Sequence, residues 1–279
     1  MARIPFSQVL KNVSINIRKE YDRLYKLFCV DKYKDSPGNS VTLRRICAKN
    51  FTELPFRGTC ISLDDFDISF GYNFVKEPFD FSLDYLVSFC EYSYNLSFYN
   101  QYFTYGAYLV NGRTLMHFYL QQVLKVIENL GYMPLVDNGI TDFVPKDQVA
   151  ISVAEIIDTS LSYKVIEYNH HSMKGDLNRK KEILLALADR LEPQRDKLKH
   201  NNSQVQDDLF FLFNNLNLRH NNIDPEGKDY KPFVASMEKE ELEKWYDDIY
   251  QMCLLAFLEL DHIDRKDRIK ELKDGINSK

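Results

Sequence analysis

The stretch SMEKEELEKWYDDIYQMCLLAFLEL, Ser236 to Leu260, decides the fold class. Leu242, Trp245, Tyr246, Ile249, Met252, Cys253, Phe257 and Leu260 recur at three- and four-residue spacing, which makes one apolar stripe on an α-helix and nothing coherent on a strand. Glu238, Glu240 and Glu241 fill the first turn, where the helix dipole favours negative charge, and Ser236 is placed to cap it. A helix this long needs partners for its stripe, and the preceding sequence supplies two. Asp176 or Asn178 can cap a helix carrying Ile183, Leu184, Leu187 and Leu191, which Pro193 should kink or end. A second helix is expected from about Gln204 to Leu218, followed by a loop, RHNNIDPEGKDYKP, with Asp-Pro and Glu-Gly turn signals. The last hundred residues therefore read as an antiparallel three-helix bundle.

Upstream the pattern is mixed. Val9, Val13, Ile17, Tyr21, Leu24 and Phe28 predict an amphipathic helix over residues 7–28. DKYKDSPGNS reads as a loop, and VTLRRIC and GTCISLDDFDISFGYNFV read as short strands. Ser82 should cap a helix reaching about Leu96, with Leu83, Leu86, Val87 and Cys90 on one face. The tyrosine-rich SFYNQYFTYGAYLVNGRT, with Asn111-Gly112, favours strand and turn, and Met116 to Leu130 a helix stopped by Gly131. The segment Gln148 to Asn169 stays ambiguous between strand and helix. The expected architecture is mainly α, with a mixed α/β or irregular N-terminal region over residues 1–170 and a helical domain over 171–279.

Composition bounds the function. The net charge of −5 argues against a generic basic nucleic-acid-binding face but leaves room for a local basic site. Five widely spaced cysteines without a CxxC pair read as reduced thiols of a cytoplasmic protein. No run of 18 apolar residues appears, so no membrane association is expected.

The polar residues clustered after the apolar run DDLFFLFNN are the candidate chemistry: Arg219, His220, Asn221 and Asn222. A second candidate, RDKLKH, holds Arg195 and His200. If the first two C-terminal helices are antiparallel, Arg195 and His200 sit at one end of the pair and Arg219 and His220 at the other. Arg219 would then approach the start of the first helix, where YNHHSMKGD offers His170, His171 and Lys174 beside a dipole that attracts anions. Arginine binds phosphate bidentately, and histidine exchanges protons near neutral pH. The bland account stays open: Asn221 and Asn222 suit a helix C-cap, and Arg219 and His220 suit the last turn. A metal site from His170, His171 and His220 lacks carboxylate or cysteine company, so no metal and no cofactor are expected.

With these residues in view, the C-terminal third resembles the HEPN superfamily, helical domains found in toxins, abortive-infection proteins and antiviral ribonucleases. Active members carry an arginine, usually a polar residue next, and a histidine after a gap of four to six residues. Arg195, Asp196 and His200 match that spacing. Arg219 matches the setting before the final helix, but Asp224 stands where the histidine should be, unless His220 substitutes. The resemblance implies a homodimer and metal-independent RNA cleavage, with a possible antitoxin or other protein partner. The alternative is a module that binds a nucleotide, phosphate or partner without turnover. A third possibility is that the helices hold an oligomer together while the N-terminal region carries the activity.

Overall fold

The computed structural model describes residues 16–34, 40–79, 81–101, 109–110 and 113–278. It is mainly helical, and its strands pair only as three two-stranded hairpins among the described residues. The chain divides into two compact units, Met1–Phe143 and Val144–Lys279. The division falls at Val144 instead of after residue 170, because Ala150, Val153, Leu161, Val165 and Tyr168 are buried in the same core as the C-terminal helices.

The first unit is built around one helix. α1 (Ile17–Tyr25) runs on into a π-helical turn through Val30 and buries Tyr21, Leu24 and Phe28 as its spacing predicts. The part of that predicted helix before Asn16 lies outside the described residues. β1 (Tyr33–Lys34) pairs antiparallel with β2 (Ser40–Val41), with Tyr33 opposite Val41. The two strands predicted next are helices. α2 (Leu43–Lys49) is capped by Thr42, whose hydroxyl accepts from the Arg45 N–H at 3.2 Å. α3 (Leu63–Phe70) is capped by Ser62 and stopped by Gly71, whose φ of +73° suits a residue without Cβ. Both caps satisfy backbone donors that a short strand would leave to a partner, and both were present in the sequence as Thr and Ser before an apolar residue.

α4 (Leu83–Asn100) starts at Ser82 as expected and is covered on nearly every side. Phe89 is fully buried, with the Tyr21 and Phe74 rings each 5.1 Å away and Phe28 at 6.3 Å. A helix surrounded in this way must satisfy its own polar groups. Ser93 donates to the Phe89 carbonyl and accepts from the Tyr119 hydroxyl at 2.8 Å. Asn95 both donates to the Thr141 carbonyl and accepts from the Thr141 N–H, at 2.8 Å each, imitating a strand's ladder. β3 (Leu109–Val110) and β4 (Arg113–Thr114) flank Asn111-Gly112, which itself lies outside the described residues. α5 (Leu115–Asn129), capped by Thr114, ends where Gly131 takes φ +80°. β5 (Tyr132–Asp137) and β6 (Ile140–Pro145) close a hairpin through Asn138 and Gly139, at φ +48° and +81°, the left-handed pair that a two-residue hairpin turn demands.

In the second unit the ambiguous stretch resolves into two helices, α6 (Gln148–Ile156), capped by Asp147, and α7 (Thr159–Glu167). A 3-10 turn at His171–Met173 leads to α8 (Leu177–Leu191), capped by Asp176. Pro193 ends α8 in a 3-10 turn, and α9 (Arg195–Asn201) follows. α10 (Ser203–Asn215) starts from the Asn202 cap and stops three residues short of the expected Leu218. After the short α11 (Pro232–Ala235), α12 (Lys239–Asn277) crosses the core. Tyr246, Ile249, Cys253 and Phe257 are buried as the stripe predicts, while Trp245 sits at its edge, 37% exposed. The helix begins two residues later than Ser236 implies: Glu238 occupies the N-cap, and the Ser236 hydroxyl donates to the Phe233 carbonyl of α11. No described residue of α12 beyond Phe257 is buried. No described helix is long and apolar enough to cross a membrane.

Candidate functional site

The structure rearranges the predicted cluster. α9, which the sequence reading merged into a helix end, turns the chain out and α10 brings it back. The Arg195 guanidinium at the start of α9 therefore lies 4.7 Å from the ring centre of Phe210 in the second half of α10. Arg219, just past α10, returns to the same place. Its guanidinium carbon is 5.5 Å from the Phe210 ring centre and 5.1 Å from that of Phe213. The two arginines expected at opposite ends of a helix pair share one corner.

Glu192 joins them. One carboxylate oxygen accepts from Arg219 Nη1, and the other lies 3.9 Å from Arg195 Nη1. Arg219 Nη2 also donates to the Ala188 carbonyl at 3.1 Å, so Arg219 ties the end of α8 to the loop after α10. The Arg219 side chain is 20% exposed and that of Arg195 is 49% exposed. The corner thus holds two guanidiniums within cation–π distance of the Phe210 ring and beside one shared carboxylate. It is one positive charge in excess.

The histidines do not join this corner. His200 stands five residues beyond Arg195 on the same helix, roughly 140° around its axis at 100° per residue. His220 is exposed, and its Nδ1 lies 3.4 Å from Asp229 Oδ2. His170 and His171 lie before α8, so roughly 20 Å of helix separates them from the Arg219 contacts at Ala188 and Glu192. The His170 ring lies 4.2 Å from the His171 ring, inclined by 40°, and caps the 3-10 turn by accepting from the Ser172 N–H. Lys174 is exposed, and the Gly175 N–H beside it donates to Glu243 at 2.7 Å. The α8 N-terminus is therefore already met by carboxylates, Asp176 on the Arg179 N–H and Glu243 of α12 on the Gly175 N–H just before it. Partial burial works to raise the Glu243 carboxyl, but the Gly175 N–H and the Lys180 ammonium outweigh it and hold the group below the usual carboxylate range.

Asn222 is structural. It is fully buried, accepts from the Asn217 N–H at 2.7 Å and donates to the Asp229 carbonyl at 2.9 Å. Asn217 takes φ +55° to start this loop, so the left-handed asparagine predicted at 221–222 falls at 217. Asn221 is exposed.

A further group, none of it among the predicted site residues, lies in the first unit. Arg44 Nη2 binds Asp64 at 2.8 Å and Asp67 at 2.6 Å, and the Tyr92 hydroxyl donates to Asp67 at 3.1 Å. These residues line an open cavity of about 700 Å³. Their numbers are far apart in the chain, and reading both segments as strands hid the helical spacing that puts Asp64 and Asp67 on one face of α3.

No protein-family profile matches the chain, and neither a curated protein nor a solved structure was found that resembles it.

Proposed function

We propose that the second unit binds RNA or a nucleotide through its phosphate at the Arg195–Arg219 corner, as a HEPN-like module of a phage-defence, abortive-infection or toxin system. One observation carries this reading: two guanidiniums converge on a single carboxylate over the Phe210 ring. A phosphodiester carries acceptors in the same arrangement as Glu192 and can take its place on Arg195, the more exposed of the two. Contact with Phe210 and Phe213 restrains the guanidiniums, which lowers the entropy lost on capture. Binding without turnover fits the position of His200, turned away on α9.

Metal-independent cleavage is the second reading, favoured by the His220–Asp229 pair. A carboxylate at Nδ1 orients an imidazole, leaving Nε2 for a ribose hydroxyl or a leaving oxygen. A homodimer, as the resemblance implies, would bring a second copy of this loop to the same strand of RNA.

The test is fluorescence anisotropy with a labelled single-stranded RNA, run with a gel assay of its integrity in EDTA. Arg195→Ala should weaken binding about tenfold and reduce the salt dependence by about one phosphate contact. Intact RNA throughout supports binding alone. Cleavage that His220→Ala abolishes supports the second reading. Equal affinity of the wild type and Arg195→Ala would remove the corner from both.

A further inference from the structure

The cavity of the first unit is lined by residues that no step of the proposed function uses. Its volume of about 700 Å³ falls in the range of small-molecule sites. Tyr72 and Phe74 lie on one side with rings 6.0 Å apart and inclined by only 23°, and Tyr92 packs 5.1 Å from Tyr72. Near-parallel rings at the wall of a cavity suit a flat ligand better than a round one.

The polar groups say which flat ligand. Both contacts of Arg44 to carboxylates run through Nη2, so its other N–H groups are left to a further acceptor. Asp67 Oδ1 is buried without a hydrogen-bond partner, and Asp64 is 79% exposed on its side chain. The cavity therefore offers a guanidinium donor beside the exposed Asp64 carboxylate, with one negative charge in excess from Arg44, Asp64 and Asp67. Guanine is the base with the complementary edges. Its O6 accepts from an arginine N–H, while its N1 and N2 hydrogens need acceptors such as a carboxylate. Adenine presents an amino group where guanine has O6, and so places a donor against Arg44. The excess negative charge opposes polyphosphates and favours an uncharged nucleoside.

We propose that this cavity binds guanine, as the base of a guanosine, between Arg44, the Asp64 carboxylate and the Tyr72–Phe74 wall. The step is binding alone, and it stands independently of the arginine corner.

Isothermal titration of the full chain with guanosine and with adenosine tests it, alongside two variants at exposed positions. Ile68 lines the cavity and is 83% exposed, so Ile68→Trp fills the mouth without entering the core. Asp64→Asn keeps the side-chain size and removes an acceptor. Expected are saturable guanosine binding, at least tenfold weaker adenosine binding, a loss of at least tenfold in Ile68→Trp, and a several-fold loss in Asp64→Asn. Absence of guanosine binding at millimolar concentration overturns the proposal. So does equal binding of adenosine or of tetramethylammonium, or guanosine affinity unchanged in Ile68→Trp. Thermal melts of both variants matching the wild type exclude misfolding as the cause of a loss.

Discussion

Replacing Lys180 by methionine probes how the second unit holds α8 against α12. Lys180 is 5% exposed, and its ammonium reaches Glu243 at 2.8 Å and Asp247 at 2.6 Å, 5.3 Å from the centre of the Tyr168 ring. Tyr168 in turn donates to Asp247 at 3.0 Å and stacks on Tyr250 at 4.0 Å. Methionine keeps most of the apolar stem, so the loss is electrostatic. It strands two carboxylates one helical turn apart on α12. Breaking a fully buried pair costs about 3–5 kcal/mol, and an exposed pair costs about 0–1 kcal/mol. The Glu243 side chain is 18% exposed and that of Asp247 50%, so the expected penalty lies between, about 2–3 kcal/mol.

Urea unfolding followed by Trp245 fluorescence measures it, because Trp245 is the single tryptophan and lies on α12. The pH dependence supplies a second check. The Glu243 carboxyl is depressed in the folded state. Its contribution is therefore complete above the unfolded carboxylate pKa of about 4.3 and is lost as pH falls through the folded value. The penalty of Lys180→Met should shrink as pH drops from 5 toward 3. A penalty under about 0.5 kcal/mol at pH 7, where the exposed-pair range lies, would refute this account of the network, as would one unchanged down to pH 3.

Two further outcomes follow from buried polar groups. Asn95→Leu leaves the N–H and C=O of Thr141 without partners inside the first unit, and chemical denaturation should show a loss of about 2–6 kcal/mol, at about 1–3 kcal/mol for each stranded group. Gln206, 1% exposed on α10, has neither its amide nitrogen nor its oxygen hydrogen-bonded within the protein. Gln206→Met should therefore stabilise the second unit by about 1–3 kcal/mol by the same Trp245 assay, and a destabilised variant would mean that the amide has a partner.

What the sequence disclosed follows from periodicity. The α12 stripe, the Asp176 and Ser82 caps and the Gly131 stop are local signals, and each element formed where its signal stood. The errors came where a local signal was outweighed or overlooked. Val41 to Cys47 looked extended by its β-branched residues, yet Thr42 at the N-cap position starts a helix there. Asp137-Asn138-Gly139 was an available hairpin signal that received no reading. The site was less legible than the fold because it depends on direction. One extra seven-residue helix, α9, reversed which end of α8 receives Arg219, and so parted it from His170 and His171 while joining it to Arg195. A chain of helices can be listed from spacing, but whether a proline ends one helix or starts another decides which of their ends meet.

The most direct test of the arginine corner removes its internal occupant. Glu192→Gln leaves Arg195 and Arg219 over Phe210 but takes away the carboxylate that a phosphate must displace. In anisotropy titrations with single-stranded RNA, this variant should bind several-fold more tightly than the wild type, and the gain should vanish in Glu192→Gln/Arg195→Ala. Unchanged or weaker binding by a folded Glu192→Gln protein would contradict the assignment of that corner to phosphate.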